Sequence, residues 1–235
     1  MIQNGTLNGG LISMPDWQEE GFVLSCRRHA ENSVVVSVFT PLHGKHLGLI
    51  HSKNLPLNGG LYQIHWHARL AEHLGNFKME AINLLSAKFL NDKKRLACLS
   101  CICSLLDGLL PEREPQKEFY VSLATFLNNL NAMDWQKRYI QLEALLLSTL
   151  GFGMDLTSCA GGGDKNNLGY VSPKTARAVS FEKGNPYKDL LLPLPRFLWQ
   201  EAEASEQDLK DGLYLTGFFL SKQIKKLPII RGQIL

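Results

Sequence analysis

The sequence predicts an α+β chain in which a small N-terminal β-barrel precedes an α-helical domain carrying an irregular insert. Three observations predict it. Between Trp17 and Leu70 the apolar residues fall in short β-branched or alternating runs. After about Glu80 their spacing changes to three and four. Residues that start or stop helices, namely Asp92, Pro111, Asp134 and Gly151, sit at the ends of those later runs.

Residues 1–13 hold three Gly, two Asn and no charge, and read as a flexible leader ahead of Met14. Short apolar or β-branched runs at 21–25, 33–39 and 46–51 read as strands, the third after the turn-like Thr40-Pro41-Leu42-His43-Gly44. The clearest period of two covers 61–70, with Tyr62, Ile64, Trp66, Ala68 and Leu70 on one side and Gln63, His65, His67 and Arg69 on the other. Four or five such strands in so short a stretch suggest a closed barrel. Helices are then expected at 79–90, from an Asp92 cap to about 110, at 116–130, from an Asp134 cap to Gly151, and at 207–224. Residues 157–189 read as irregular and polar, with a flexible Gly161-Gly162-Gly163 tip. The expected division is a leader at 1–13, a barrel at 14–80 and a helical domain at 81–235.

With 235 residues, 45% hydrophobic and 20% charged, the chain is long enough to bury a core without metal or disulfide. Its most apolar stretch, 96–110, is broken by Ser100, Ser104, Asp107 and Gly108, short of the ~20 residues of a membrane span. The N-terminus has neither the cationic start nor the apolar block of a secretory signal. Five cysteines without framework spacing suit a reducing cytosol, so a cytoplasmic, nucleoid-associated location is expected.

The net charge of +3 conceals a local excess. Between residues 27 and 69 there are five fixed cations, Arg27, Arg28, Lys45, Lys53 and Arg69, against one carboxylate, Glu31. All seven histidines fall between His29 and His73. Such a region either recruits a polyanion or is an ordinary solvated face. His65 and His67 project from one side of a strand beside Arg69, where they could meet phosphates, stack on bases, or serve as two metal ligands. No P-loop, GxSxG elbow or HExxH occurs, so no enzyme is expected. Cys98, Cys101 and Cys103 lie on a predicted helix with no second ligand pair, and read as small buried hydrophobes.

A series of short motifs in order along the chain resembles the RecO family of bacterial recombinational repair. It begins with Trp17-x-x-Glu20-Gly21-Phe22-Val23-Leu24-Ser25 and continues through Phe39-Thr40-Pro41-Leu42-His43-Gly44-Lys45 and Trp66-His67-Ala68-Arg69-Leu70. Next come Leu110-Pro111-Glu112-Arg113-Glu114-Pro115, Tyr139 with Glu143, and Leu150-Gly151-Phe152-Gly153. Tyr170-Val171-Ser172-Pro173-Lys174, Leu215-Thr216-Gly217 and Leu227-Pro228-x-x-Arg231 complete it. The resemblance implies an OB-fold followed by a helical domain. It also implies a non-enzymatic mediator that binds single- and double-stranded DNA, anneals complementary strands, and works with RecR to load RecA on DNA coated by single-strand-binding protein (SSB). The site residues expected for DNA are Arg27, Arg28, Lys45, Lys53, His65, His67 and Arg69. Such proteins also dock the acidic C-terminal tail of SSB, which wants an apolar groove rimmed by cations. Arg113, Lys137 and Arg138 flank apolar helices and are the candidates, although Arg113 could equally partner Glu143.

One departure matters. Many family members bind zinc through two cysteine pairs in the irregular segment, whereas here only Cys159 occurs and Gly162 stands where its partner would be. No zinc or other cofactor is therefore expected. The second class of function left open is an OB-fold adaptor that binds a protein partner and not DNA. Salt-dependent binding to oligonucleotides separates the two.

Overall fold

The computed structural model describes residues 15–52 and 54–235, so the leader and Lys53 lie outside the described residues. Five strands come first: β1 (Asp16–Ala30), β2 (Ser33–Thr40), β3 (Gly44–Ile50), β4 (Leu61–His67) and β5 (Asn76–Asn83). They close into a barrel in the order β1-β2-β3-β5-β4, the five-stranded arrangement of an OB-fold. β1 can serve both halves because it shifts register between Val23 and Ser25. Its first half pairs with β4 and its second with β2.

The alternation read along β4 is present: Tyr62, Ile64 and Trp66 point into the barrel with Val23, Val34, Val36, Val38 and Phe77. The expected helix over 79–90 is corrected. Residues 76–83 form β5, paired along β4 from Asn76↔His67 to Asn83↔Leu61, and only α1 (Leu85–Lys88) is helical there. The alternation Phe77-Lys78-Met79-Glu80, buried or half-buried against exposed, is strand chemistry that pairing with β4 completes.

The helices follow as α2 (Lys93–Leu109), α3 (Lys117–Asn128) and α4 (Trp135–Thr149). Asp92 caps α2 by accepting the Arg95 N–H at 3.0 Å. Asp134 precedes α4 but its carboxylate turns to Arg138 instead of capping. Gly151, at φ +82°, ends α4 in a conformation that favours glycine. The region expected to be irregular contains a small sheet of β6 (Leu168–Val171), β7 (Ala178–Ser180) and β8 (Leu192–Pro193), with the single turn α5 (Phe181–Gly184). Strands of two to four residues are too short to leave a readable period. The last helix, α6 (Glu206–Ser221), opens on a capping box in which Ser205 and Asp208 satisfy each other's backbone N–H. No helix among the described residues is long and apolar enough to cross a membrane.

Phe22, Leu24 and Phe39 point out of the barrel and join the core of the helical domain. Phe39 meets Phe119 and Tyr120 with ring centroids 6.2 and 5.4 Å apart. A second bond between the halves is backbone. The segment after α2 runs beside β3, where the Arg113 N–H donates to the Lys45 carbonyl at 2.7 Å. Gly44 allows this approach: its φ is +64°, and a Cβ there would stand 2.1 Å from the Glu114 carbonyl oxygen. Arg113 itself has a left-handed backbone, φ +61°, and its guanidinium donates to the carbonyls of Ala71, Glu72 and His73.

Deep in the helical domain Glu143 is fully buried and accepts two hydrogen bonds from Arg231, at 2.8 and 2.6 Å. The hydroxyls of Tyr139 and Thr216 donate to its two oxygens. Arg231, and not Arg113, is therefore the partner of Glu143. The network ties α4, α6 and the C-terminal segment to one point.

Candidate nucleic-acid interface

Six of the seven residues expected to meet DNA are among the described residues, on or just beyond barrel strands at two places, and the structure does not gather them on one face. Arg27 and Lys45 both converge on Asp107 near the end of α2. Arg27 Nη2 reaches the Asp107 carboxylate at 2.9 Å, and Lys45 Nζ donates to the Asp107 carbonyl at 2.9 Å. Lys45 is buried there, which corrects its expected place on an open surface. The physical reason is that β3's outward side, on which Lys45 projects opposite Phe39, is the side covered by helices. Arg27 keeps most of its side chain in solvent, 76% exposed, and Arg28 beside it is exposed too.

His65 and His67 do project outward from β4, half-buried, with ring centroids 6.1 Å apart. Their neighbours were invisible to a local reading. Register places Asp16, Gln18 and Glu20 of β1 on one side and Asn76, Lys78 and Glu80 of β5 on the other. His65 is hydrogen-bonded to the Asp16 carboxylate. The face is thus mixed in sign, with Arg69 exposed beyond its end.

Of the histidines grouped with them by sequence, His46 sits inside and His43 is half-buried. His46 is buried against Trp66 and Trp17, at centroid distances of 4.8 and 5.3 Å, and neither ring nitrogen has a partner among the described residues. Burial, with the nearby charges of Arg113 and His43, pulls its pKa down to about 4. His43 stacks on Trp17 at 4.4 Å, its Nδ1 3.1 Å from the buried Glu19 carboxylate.

A cleft absent from the sequence reading opens where β3 and β5 part, since they pair only at Leu49↔Asn76. It holds about 430 Å³. Tyr62, Phe77 and Met79 form an apolar floor, and His51 and Lys78 stand at its sides. Aromatic and apolar surface beside cations is what an unstacked single strand uses. No sequence signal marks it, because its walls come from β3, β4, β5 and the loop after β3.

The three residues expected to hold an acidic tail also part company. Arg113 is the linker clamp described above. Lys137 is buried, with its Nζ 3.1 Å from the Ala202 carbonyl. It lines a small cavity of about 180 Å³ beside Glu203 and Leu209, whereas Arg138 lines a groove between α3 and α4 of about 290 Å³, with Val121, Phe126, Leu142 and Leu145 as apolar walls. Its hydrogen bond holds the Asp134 carboxyl below its ordinary range.

Cys98, Cys101 and Cys103 are buried on α2, and burial pushes the latter two thiols up to about 12. Cys159 differs. Burial raises it, but N–H groups of Ser180, Gly161 and Gly163 and the Ser180 hydroxyl outweigh that and bring it down to about 7. Its polar partners come from the protein itself, and among the described residues no three His, Cys, Asp or Glu gather as metal ligands.

Two family models match, Recombination protein O N terminal over residues 14–85 and Recombination protein O C terminal over 90–229. A DNA repair protein RecO of Cereibacter sphaeroides is 39% identical over 94% of this chain and 93% of its own length. One from Rhodospirillum rubrum is 38% identical over 90% of this chain and 89% of its own. One from Sinorhizobium medicae is 37% identical, covering 88% and 86%. With an OB-type barrel, a helical domain and matches along both, the chain belongs to the RecO family of DNA repair and recombination proteins.

Proposed function

We propose that the chain is a DNA-binding recombination mediator that works without catalysing a reaction. It binds single- and double-stranded DNA, anneals complementary strands, and with RecR helps load RecA on SSB-coated single strands. The observation that carries this reading is the barrel cleft between β3 and β5, with its aromatic floor beside His51 and the cation Lys78. Arg28 and Arg69 supply further exposed cations, His65 and His67 add two half-buried rings, and Arg27, though paired with Asp107, keeps most of its side chain in solvent. Annealing needs cations that relieve repulsion between phosphate chains while base edges stay free.

The test is oligonucleotide binding across a salt series. Removing Arg28 and Arg69 together (Arg28→Ala, Arg69→Ala) is expected to make the slope of log K against log salt shallower by roughly 1.4 for a single strand. A chain that binds no oligonucleotide at low salt is an adaptor, and the DNA reading falls.

The α3–α4 groove fits the SSB tail, whose acidic residues and terminal carboxylate sit beside an apolar side chain. Arg138 is the cation positioned to receive that carboxylate. Arg138→Glu is expected to weaken binding of a tail peptide about tenfold or more, a loss of about 1.4 kcal/mol. Equal affinity in fluorescence anisotropy would remove the tail from this groove.

A further inference from the structure

We infer that the DNA-binding surface does not stop at the barrel but crosses the domain junction onto the turn that follows α6, where Lys225 and Lys226 contact phosphates. This rests on the DNA-binding reading above and extends it to residues of the other domain.

The end of α2 lies between the two halves. On one flank Asp107 takes Arg27 of β1 at 2.9 Å. On the other flank the next residue, Gly108, touches Ile224, whose Cδ1 would stand 2.8 Å from a Cβ at that glycine. Arg27 and the turn after α6 therefore both adjoin the same end of α2, where Gly108 is exposed. The turn is held from within. Gln223 and Ile224 donate to the Leu220 carbonyl at 2.9 and 3.2 Å, and Ile224 anchors it to α2.

Its three lysines do different things. Lys222 is occupied: its Nζ lies 4.3 Å from the centre of the Phe218 ring and donates to the Pro173 carbonyl at 2.8 Å. Lys225 and Lys226 are exposed, and neither has an ion-pair or hydrogen-bond partner for its ammonium among the described residues. A favourable helix C-terminus explains a cation in the last turn, and Lys222 meets that need. It does not account for two more beyond it. No carboxylate side chain occurs in the sequence after Asp211. Asp107, at the junction, is already engaged by Arg27. Arg28, like Lys225 and Lys226, is exposed and has no ion-pair partner among the described residues.

Exposed cations without ion-pair partners on both sides of the domain junction fit the phosphate backbone of DNA. The shared chemistry is a row of phosphates, and single-stranded and duplex oligonucleotides are the two sources to separate. The experiment uses the full chain with Lys225→Ala and Lys226→Ala combined, binding both oligonucleotides across a salt series. The slope of log K against log salt is expected to become shallower by roughly 1.4 for the single strand and 1.8 for the duplex. A change for one oligonucleotide alone assigns the turn to that form of DNA. Lys225→Gln with Lys226→Gln repeats the charge removal with longer side chains, so a fold defect of the alanine variant does not decide the result. If neither lysine variant moves the slope while Arg28→Ala with Arg69→Ala does, the surface ends at the barrel and this inference is wrong. If none of these variants moves it, the barrel reading fails as well.

Discussion

Replacing Arg231 with Met is expected to destabilise the chain by about 3–5 kcal/mol, the usual cost of stranding one member of a buried ion pair. Glu143 has no exposed surface, and Arg231 supplies two of its hydrogen bonds. Without the guanidinium, only the hydroxyls of Tyr139 and Thr216 remain to face the carboxylate. Arg231 also donates to the Leu213 carbonyl at 2.6 Å, so α6 loses a tether to the C-terminal segment. Urea unfolding followed by circular dichroism measures the effect. Glu143→Gln in the same chain removes the stranded charge and should recover a large part of the loss. A single variant less than about 1 kcal/mol below wild type would show that the network is not what holds this end together.

Acid is expected to destabilise the chain through His46 of the barrel. Its folded pKa of about 4 lies below the ordinary histidine value near 6.5. Above pH 6.5 the ring is neutral in both states and the barrel keeps its full stability. As pH falls from about 6.5 toward 4, the unfolded chain takes up a proton that the folded barrel refuses. Stability then drops by at most about 1.4 kcal/mol per pH unit from this group. The groups facing the ring explain the refusal: Arg113 from the linker and His43 from the preceding turn oppose a charge, and Trp17 and Trp66 exclude water. His46→Leu should match wild type to within about 1.5 kcal/mol at pH 7.5, a near volume-conserving swap, and gain on it as pH falls. A stability difference between the two that stays constant from pH 7 to 4 would exclude His46 as the sensor.

What the sequence made legible is what depends on neighbours along the chain. The alternation of β4, the cap of α2 and the glycine after α4 all act within a few residues, and they read correctly. β5 did not, because a strand of eight residues with mixed spacing becomes a strand only when β4 lies beside it. The site shows the same limit. Cation density around 27–69 is a local fact, but which cation is buried depends on α2, whose Asp107 is 62 residues from Lys45. Glu143 and Arg231 are 88 residues apart, and nothing near either one announces the other. The β3–β5 cleft is a gap between strands and has no residue pattern of its own.

The backbone contact of Arg113 with β3 has a consequence for synthesis on the ribosome. β3 and β5 meet at one residue pair only, and the segment after α2 fills the end of that seam opposite the cleft by bonding Lys45 on one side and the loop at 71–73 on the other. The barrel's last stave is thus encoded beyond its own five strands. A nascent chain that has released β5 but not yet α2 and the linker carries an open edge at Lys45, with Phe22, Leu24 and Phe39 bare on the surface. Such an edge, beside apolar side chains, is a template for pairing with another chain. The N-terminal half is consequently not a portable module: it matures only when its successor arrives, and the two are a single cooperative unit from the moment of translation.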